Sequence, residues 1–234
     1  MSALIVVDMQ EDFCPPDGSL AVEGGRSIAP VINSLLGLPG FVVRIATQDY
    51  HPLDHISFAS NYPEPNNKPY ESFIEMTNPA PGKQSETKRQ LLWPVHCVAG
   101  CKGASIISEI DTDKIDVYVK KGMDARVEMY SVFGDPFGNL DPAVTFQSVD
   151  VDIKSVLEES KITDVFIVGL AGDYCVKATA IDAAKAGYRT FVVEEGTRCV
   201  IPGKGWEETK RELSEAGVSV VGADGPEVLK IAGY

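Results

Sequence analysis

Short runs of β-branched and other apolar residues alternate with segments of helical periodicity along most of this 234-residue chain. Apolar runs of this length, without polar alternation, are typical of strands that are buried on both faces of a parallel sheet. Because helices follow most of these runs, we predict an α/β fold: a doubly wound, mostly parallel sheet with helices on both faces, in three α/β/α layers. The predicted strands cover residues 3–7, 41–47, 116–122, 165–169, 189–193 and 218–221.

Helical spacing of apolar residues, together with glycine and proline stops, indicates helices between these strands. Two long segments lack this periodicity: residues 49–100 are predicted to form a long ordered loop, and residues 134–150 an insertion loop. A chain of this length fits one domain, which we take to be residues 1–234. The predicted helices cover residues 28–36, 106–110, 151–160, 174–187, 206–216 and a short segment from 226.

The chain carries a formal net charge of −13, which argues against a nucleic-acid partner because such a partner requires a basic face. No apolar run approaches the length of a membrane span, and the first residues do not form a signal peptide. Five cysteines are an odd number and too sparse for a disulfide scaffold. We therefore expect a cytoplasmic protein without nucleic-acid or membrane partners. Entry into the nucleus or a peroxisome would require a carrier protein. Whether the chain forms a homo-oligomer is not decided by the sequence.

Cys175 lies at the junction between a predicted strand and a predicted helix. The strand at 165–169 is followed by a turn at 170–173, and helical spacing begins at Tyr174. In an open parallel sheet, ligands bind at the carboxyl ends of the strands. The unpaired N–H groups and the dipole of a helix N-terminus favour a thiolate and can hold an oxyanion. Cys175 is therefore a candidate nucleophile, although a small apolar residue packed beneath the turn explains the same position.

Asp8 and Lys121 end two other predicted strands. Their side chains reach the same crevice as Cys175 if the three strands are neighbours in the sheet. A contact with Lys121 would hold Asp8 as a carboxylate and would couple the pKa values of the two groups. Each residue also has an ordinary interpretation, because a loop acid or a helix cap explains Asp8 and a solvated strand end explains Lys121.

All three histidines of the chain fall within the long loop, at positions 51, 55 and 96. Asp49 precedes His51 by two residues, and with His96 these side chains offer one oxygen and two nitrogen ligands to a metal ion. Each of them alone is more often a hydrogen-bonded loop residue, but their concentration in one irregular segment favours a shared metal site. Cys97 and Cys101 have no second pair at zinc-ribbon spacing, so we interpret them as structural thiols.

Several stretches of the chain resemble known proteins. Those around Asp8, Lys121 and Cys175 are similar to the isochorismatase-like cysteine hydrolases, and two stretches of the long loop resemble the nicotinamidases of that superfamily, in particular the eukaryotic, yeast-like type. The resemblance extends from Leu4 to about Val221. The stretches are residues 4–13, 121–122 and 169–180 for the superfamily and residues 47–58 and 92–98 for the nicotinamidases.

Three features depart from the family pattern. Gln48 stands where a basic residue is expected before the metal-binding aspartate, residues 136–147 form extra loop, and the tail after Val221 is longer than expected. None of these features touches a residue that the family pattern makes catalytic or metal-binding. They bear instead on substrate entry and on contacts between subunits.

The resemblance implies that Cys175 attacks the carbon of a carboxamide to give a thioester and ammonia. Asp8 would take the thiol proton and pass it to the leaving amine, and Lys121 would anchor Asp8. The backbone N–H groups of Ala171 and Cys175 would form the oxyanion hole. The family also implies a cis peptide bond between Leu170 and Ala171.

A divalent metal ion, held by Asp49, His51 and His96 together with water, is also implied by the resemblance. The metal would be zinc, with iron or manganese as alternatives, and it would bind the pyridine nitrogen of the substrate. His55 would be either a further ligand or a residue that orients the ligands. Core packing explains each nearby aromatic side chain, but four of them are candidates for a wall around the substrate ring: Phe13, Trp93, Tyr130 and Tyr174.

The activity implied by the resemblance is the hydrolysis of nicotinamide to nicotinate and ammonia in NAD salvage. The same site should accept pyrazinamide, whose ring nitrogen can occupy the same position. Another amidase or ureidohydrolase of the superfamily is the alternative enzyme, although such an enzyme needs no metal to hold a ring nitrogen. A non-catalytic binding protein on this fold is the alternative outside enzymes, and it predicts a broken Asp8–Lys121–Cys175 set.

Overall fold

A six-stranded parallel sheet forms the centre of the computed structural model, which describes residues 1–233. The strand order in this sheet is β5-β2-β1-β6-β7-β8, and a separate antiparallel pair is formed by β3 and β4. The strands are β1 Ser2–Val7, β2 Phe41–Asp49, β3 Phe73–Thr77, β4 Thr87–Leu91, β5 Val117–Lys121, β6 Asp164–Leu170, β7 Arg189–Arg198 and β8 Ser219–Val221.

Helices cover both faces of this sheet, which confirms the predicted fold class. Within the described residues 1–233, no helix is long and apolar enough to cross a membrane. The helices are α1 Ala29–Leu36, α2 Pro142–Ser148, α3 Ile153–Glu159, α4 Lys177–Lys185, α5 Lys204–Glu215 and α6 Pro226–Ala232.

Two hydrophobic cores lie on opposite faces of the sheet, because successive side chains of a strand point in opposite directions. Leu4 and Val6 of β1 pack in the core that contains the buried residues of α1 and α6. Ile5 and Val7 pack in the core that contains those of α3, α4 and α5. Every residue of β1 and β6 is buried, which explains why both strands are apolar without alternation.

The direction of the chain through the sheet reverses between β1 and β6. From β1 the chain moves outward to β2 and then β5, whereas from β6 it moves the opposite way to β7 and β8. The crevice at the carboxyl ends of the strands on either side of such a reversal is where open α/β sheets bind ligands. Asp8 follows one of these two strands and Cys175 follows the other.

Two segments that were predicted to be loops contain regular structure. Residues 49–100 contain the hairpin of β3 and β4, in which Met76 and Gln90 are the only buried residues of their strands. A strand with one buried residue carries no periodic pattern, which is why the sequence did not reveal it. Residues 134–150 contain α2, whose first residue is a proline and whose N-cap is Asp141.

The predicted helix at 106–110 is wrong. Its apolar spacing is real, since Ile107 and Ile110 are buried, but the backbone of Ile106 and Ile107 pairs with the segment after β1 and no helix forms. The N–H of Ile107 donates to the carbonyl of Met9 at 2.9 Å, and Ile106 forms an isolated bridge with Gln10. Long-range backbone pairing therefore overrides the local helical pattern.

Candidate active site

Four polar side chains lie close together at the carboxyl ends of four neighbouring strands. In the order of the sheet, β5 ends at Lys121, β2 ends at Asp49, β1 is followed by Asp8, and β6 leads into the turn that carries Cys175. One oxygen of Asp8, one oxygen of Asp49 and the sulfur of Cys175 lie within 4.8 Å of one another. The parallel strand order is therefore what assembles this cluster from residues far apart in sequence.

Lys121 is the centre of the cluster and is fully buried. Its Nζ lies 3.0 Å from an Asp8 oxygen and 3.6 Å from the sulfur of Cys175, and it forms a second ion pair with Asp49. Burial alone would lower the pKa of Lys121, but the Asp49 and Asp8 carboxylates raise it well above its ordinary value. The contact with Asp8 was expected from the sequence, whereas the ion pair with Asp49 was not.

The Asp8 carboxylate is held through both of its oxygens. Its Oδ1 accepts a hydrogen bond of 2.6 Å from the hydroxyl of Thr47, and its Oδ2 is the oxygen that faces the ammonium group of Lys121 at 3.0 Å. Burial raises the pKa of Asp8, although Lys121 acts in the opposite direction. Asp8 also adopts a φ of 50°, an uncommon conformation that surrounding structure must hold in place.

Cys175 lies in a π-helical turn, Gly172–Val176, that joins β6 to α4. Burial raises the pKa of its thiol well above the ordinary value, while Lys121 acts to lower it. Ala171, immediately before this turn, has a φ of 55°. Among residues 1–233 the cis peptide bonds precede Pro16 and Pro65, so the bond between Leu170 and Ala171 is trans and that expectation is wrong.

A second cluster, formed by Asp49, His51 and His96, adjoins the first. Oδ2 of Asp49 lies 3.5 Å from Nε2 of His51 and 3.8 Å from Nε2 of His96. The neighbouring positive groups, Lys121 first among them, hold the pKa of Asp49 below its usual range despite burial. Burial lowers the pKa of His96 to about 4. The Asp49 carboxylate therefore belongs to both clusters: its Oδ1 faces Lys121 and its Oδ2 faces the two histidines.

These three side chains fit a divalent metal ion. Nδ1 of His51 lies 2.7 Å from the carbonyl of Gly122, and Nδ1 of His96 lies 2.8 Å from the carbonyl of Pro94. Because a carbonyl oxygen only accepts, each Nδ1 carries the proton, and Nε2 of each neutral ring keeps a lone pair for a metal ion. Nε2 of His51 is buried without a partner. A tetrahedral zinc ion places its nitrogen and oxygen ligands about 3.4 Å from one another, which is close to the two Nε2–Oδ2 separations.

His55 and Glu128 pack behind this cluster. The ring of His55 stacks on that of His51 at 4.0 Å, and its nitrogens lie 2.9 Å from the Ser57 hydroxyl and 3.3 Å from the Val127 carbonyl. Glu128 is buried with a raised pKa, mainly because of desolvation, and one of its oxygens lies within 4.8 Å of His51 and His55 nitrogens. No motif or spacing in the sequence pointed to Glu128.

A small cavity connects the two clusters. The turn that carries Cys175, the carboxylate and imidazole groups, four aromatic side chains and the aliphatic side chains of Leu20 and Val200 all line it. Leu20 and Val200 were not anticipated, because nothing distinguishes them from ordinary core residues. The lining residues are Phe13, Leu20, Asp49, Trp93, His96, Glu128, Tyr130, Ala171, Tyr174, Cys175 and Val200.

The aromatic side chains of this wall contact one another. The rings of Trp93 and Tyr174 meet edge to face at 4.8 Å, and those of Tyr130 and Tyr174 are tilted at 5.5 Å. The hydroxyl of Tyr130 accepts hydrogen bonds from Trp93 Nε1 at 3.0 Å and from Gln90 Nε2 at 2.7 Å. The ring of Phe13 lies 5.5 Å from that of His96. Aromatic faces and edges of this kind are suited to contact with a flat ring.

Comparison with known proteins agrees with this arrangement. Residues 2–224 match the isochorismatase domain family. The chain is 36% identical to the nicotinamidase of Saccharomyces cerevisiae over 227 residues, which cover 94% of this chain and 99% of the yeast protein. The crystal structure of the yeast nicotinamidase bound to the inhibitor nicotinaldehyde superposes with a TM-score of 0.84 at 36% identity, covering 95% of this chain and 100% of the yeast chain.

A more distant structure carries a metal. The pyrazinamidase of Pyrococcus horikoshii in complex with zinc superposes with a TM-score of 0.69 at 29% identity, and the match covers 94% of this chain and 98% of that chain. The family match and the yeast relative both span nearly the whole sequence. The chain therefore belongs to the isochorismatase-domain hydrolases, in the branch that contains the nicotinamidases.

Proposed function

We propose that this protein is a nicotinamidase, which hydrolyses nicotinamide to nicotinate and ammonia. One observation carries the proposal: Cys175, which lies beside the Lys121–Asp8 ion pair, lines the same aromatic-walled cavity as Asp49 and His96. A nucleophile alone would suit any amide. A nucleophile beside a nitrogen-binding metal site suits an amide that is attached to a pyridine ring.

Cys175 acts as the nucleophile in this proposal. Its sulfur attacks the carboxamide carbon while the thiol proton passes to Asp8, one oxygen of which lies within 4.8 Å of the sulfur. The buried environment suits this transfer, because the raised pKa of Asp8 makes it a stronger base than an exposed aspartate. Asp8 then gives the proton to the leaving amine, and ammonia departs.

The carboxamide oxygen becomes negatively charged during this attack, and hydrogen-bond donors are needed to stabilise the charge. We assign that role to the backbone N–H groups of Ala171 and Cys175, in the turn between β6 and α4. Departure of ammonia leaves a thioester on Cys175. Water then attacks this thioester, Asp8 accepts a proton from the water, and nicotinate is released as the thiol is restored.

Lys121 keeps the cluster in a reactive charge state. Two carboxylates, Asp8 and Asp49, lie against its ammonium group in a fully buried place. Without this cation the two negative charges would repel each other and one carboxyl group would be protonated. Lys121 therefore maintains Asp8 as a base and Asp49 as an anionic ligand at the same time.

Asp49, His51 and His96 would hold the divalent metal, for which we propose zinc. When bound, the ion supplies a Lewis acid for the pyridine nitrogen of the substrate. The unpartnered Nε2 of His51 and the zinc complex of the Pyrococcus relative support this assignment. Both nitrogens of His55 already face polar partners, so we assign His55 to orienting the ligands instead of binding the metal.

The cellular setting follows from the same proposal. Nicotinate is a precursor for NAD, so the reaction belongs to NAD salvage. All five cysteines are free thiols, which fits the reducing cytoplasm that the cysteine usage predicts.

A panel of three amides tests the substrate assignment. Nicotinamide and pyrazinamide both carry a ring nitrogen meta to the carboxamide, whereas benzamide has the same shape without it. We expect the first two to be hydrolysed, and kcat/KM for benzamide to be lower by on the order of 10⁴-fold, because the site's nitrogen-binding group is then left unsatisfied. Ammonia release, measured in a coupled assay, gives the three values.

Benzamide turnover at a rate near that of nicotinamide would contradict the role of the ring nitrogen and favour a general amidase. A short aliphatic amide serves as a further control, because it reaches Cys175 without engaging the aromatic wall.

A further inference from the structure

Gln10 is a fully buried residue with no role in the proposed reaction, yet its side chain is completely engaged. Its Nε2 donates to the backbone carbonyl of Asp49 at 2.8 Å and to that of Ala104 at 2.9 Å. Its Oε1 accepts from the backbone N–H of Asp49 at 2.8 Å. The Gln10 amide therefore hydrogen-bonds both the N–H and the carbonyl of Asp49, as the backbone of a neighbouring strand would.

Asp12, two residues further along the chain, makes a similar contact next to another proposed metal ligand, His96. Its Oδ2 accepts a hydrogen bond of 2.7 Å from the backbone N–H of Cys97, the residue after His96. Cys97 adopts a φ of 47°, so this peptide is held in an uncommon conformation. Gly103 leaves room for the carboxylate, because a Cβ there would lie 2.0 Å from Asp12 Oδ2.

We propose that Gln10 and Asp12 are positioning residues that set the metal ligands Asp49 and His96 relative to the base Asp8. This inference rests on the proposed function. Asp8, Gln10 and Asp12 belong to one short segment after β1, so the residue that accepts the proton and the residues that fix the metal ligands share one piece of backbone. The segment is a brace that ties the two clusters together.

The chemistry of the brace explains the residue types. Only an amide side chain offers the donor and the acceptor that the Asp49 peptide requires together. A glutamate at position 10 would place a carboxylate oxygen against the carbonyls of Asp49 and Ala104. A methionine would remove the side-chain partner of both the N–H and the carbonyl of Asp49, whereas the Ala104 carbonyl would keep its hydrogen bond from Gln48. At position 12 an asparagine could still accept from the N–H of Cys97, whereas a leucine could not.

Zinc affinity tests the brace without reference to turnover. Four variants of the full chain are compared with wild type: Gln10→Met, Asp12→Leu, Asp12→Asn and Gln48→Met. Gln48 is the matched control, since its Nε2 donates to the same Ala104 carbonyl at 2.7 Å. Each protein is stripped with a chelator, checked for folding by circular dichroism, and titrated with zinc against a chromophoric competitor. Activity on nicotinamide is then followed as zinc is raised.

We expect Gln10→Met and Asp12→Leu to weaken zinc binding by about 10- to 100-fold, the usual effect of removing a group that orients a metal ligand. Asp12→Asn and Gln48→Met should stay within about threefold of wild type. Activity of Gln10→Met should recover as zinc is raised, because the ligands themselves are intact.

Equal zinc affinity in wild type, Gln10→Met and Asp12→Leu would overturn the brace while leaving the nicotinamidase proposal untouched. A wild type that hydrolyses nicotinamide but binds no zinc would overturn the metal role and the brace with it. If Gln10→Met does not fold, Gly103→Ala tests the other contact of the brace, between Asp12 and Cys97, by displacing the Asp12 carboxylate. Unchanged zinc binding in Gly103→Ala would then count against the brace.

Discussion

Replacing Cys175 by alanine is expected to lower kcat for nicotinamide by about 10⁴-fold or more, the loss seen when the nucleophile of a catalytic set is removed. The reason is that no other thiol belongs to the cavity: among its lining residues, Cys175 carries the one sulfur. The side chain is buried and small, so alanine leaves the fold and the metal ligands in place. Ammonia release under saturating nicotinamide measures the effect.

Cys101 provides the matched control for this experiment, because it is an exposed cysteine outside the cavity. Cys101→Ala should retain the wild-type rate. Cys175→Ala should still bind nicotinamide, since the aromatic wall and the proposed metal ligands are unchanged, and calorimetry measures that binding. Turnover by Cys175→Ala within tenfold of wild type would contradict nucleophilic catalysis by this residue.

Replacing Lys121 by methionine is expected to destabilise the protein by about 3–5 kcal/mol as well as abolish activity, because it breaks a buried ion pair and leaves uncompensated charge. The ammonium group faces both Asp8 and Asp49 in a place with no solvent. Methionine has a similar length but no charge, so the two carboxylates are left without a cation. Chemical denaturation measures the free energy of unfolding.

A second substitution separates the charge effect from simple loss of packing. Adding Asp8→Asn to Lys121→Met removes one of the two stranded charges, so the double variant should regain about 1–3 kcal/mol relative to Lys121→Met and remain inactive. Lys185→Met is the control, because Lys185 is an exposed lysine whose pair with Asp182 contributes little. Equal stability of the single and double variants would mean that Lys121 does not neutralise Asp8.

Much of the fold could be predicted because the central strands have a recognisable apolar sequence. β1 and β6 are buried along their whole length, so their sequences are apolar after the first residue, and the helices that cover them keep a regular apolar spacing. The hairpin of β3 and β4 could not be predicted, because each strand buries a single residue. The helix α2 could have been found, since Asp141 followed by a proline is a recognised start signal.

The candidate site divides in the same way. Asp8, Lys121 and Cys175 could be named because Asp8 directly follows a strand, Lys121 ends one and Cys175 lies in the turn between a strand and a helix; strand ends converge in a parallel sheet. Glu128, Leu20 and Val200 could not, because they reach the cavity from irregular loops whose course depends on tertiary contacts. Sequence position alone does not reveal such contacts.

The bridging role of Asp49 was also missed. The sequence assigns Asp49 to the metal and Lys121 to Asp8, but the side chain of Asp49 belongs to both groups. Its two oxygens point in different directions, and that division depends on the exact placement of β2 between β1 and β5. A shared residue of this kind becomes visible only when distances are known.

The most direct test of the account is ammonia release from nicotinamide by the purified protein in three states: as isolated, stripped of metal with a chelator, and stripped and then restored with zinc. The account predicts turnover in the first state, loss of turnover in the second and recovery in the third. Full activity on nicotinamide in the metal-free protein, or none in any state, would contradict it.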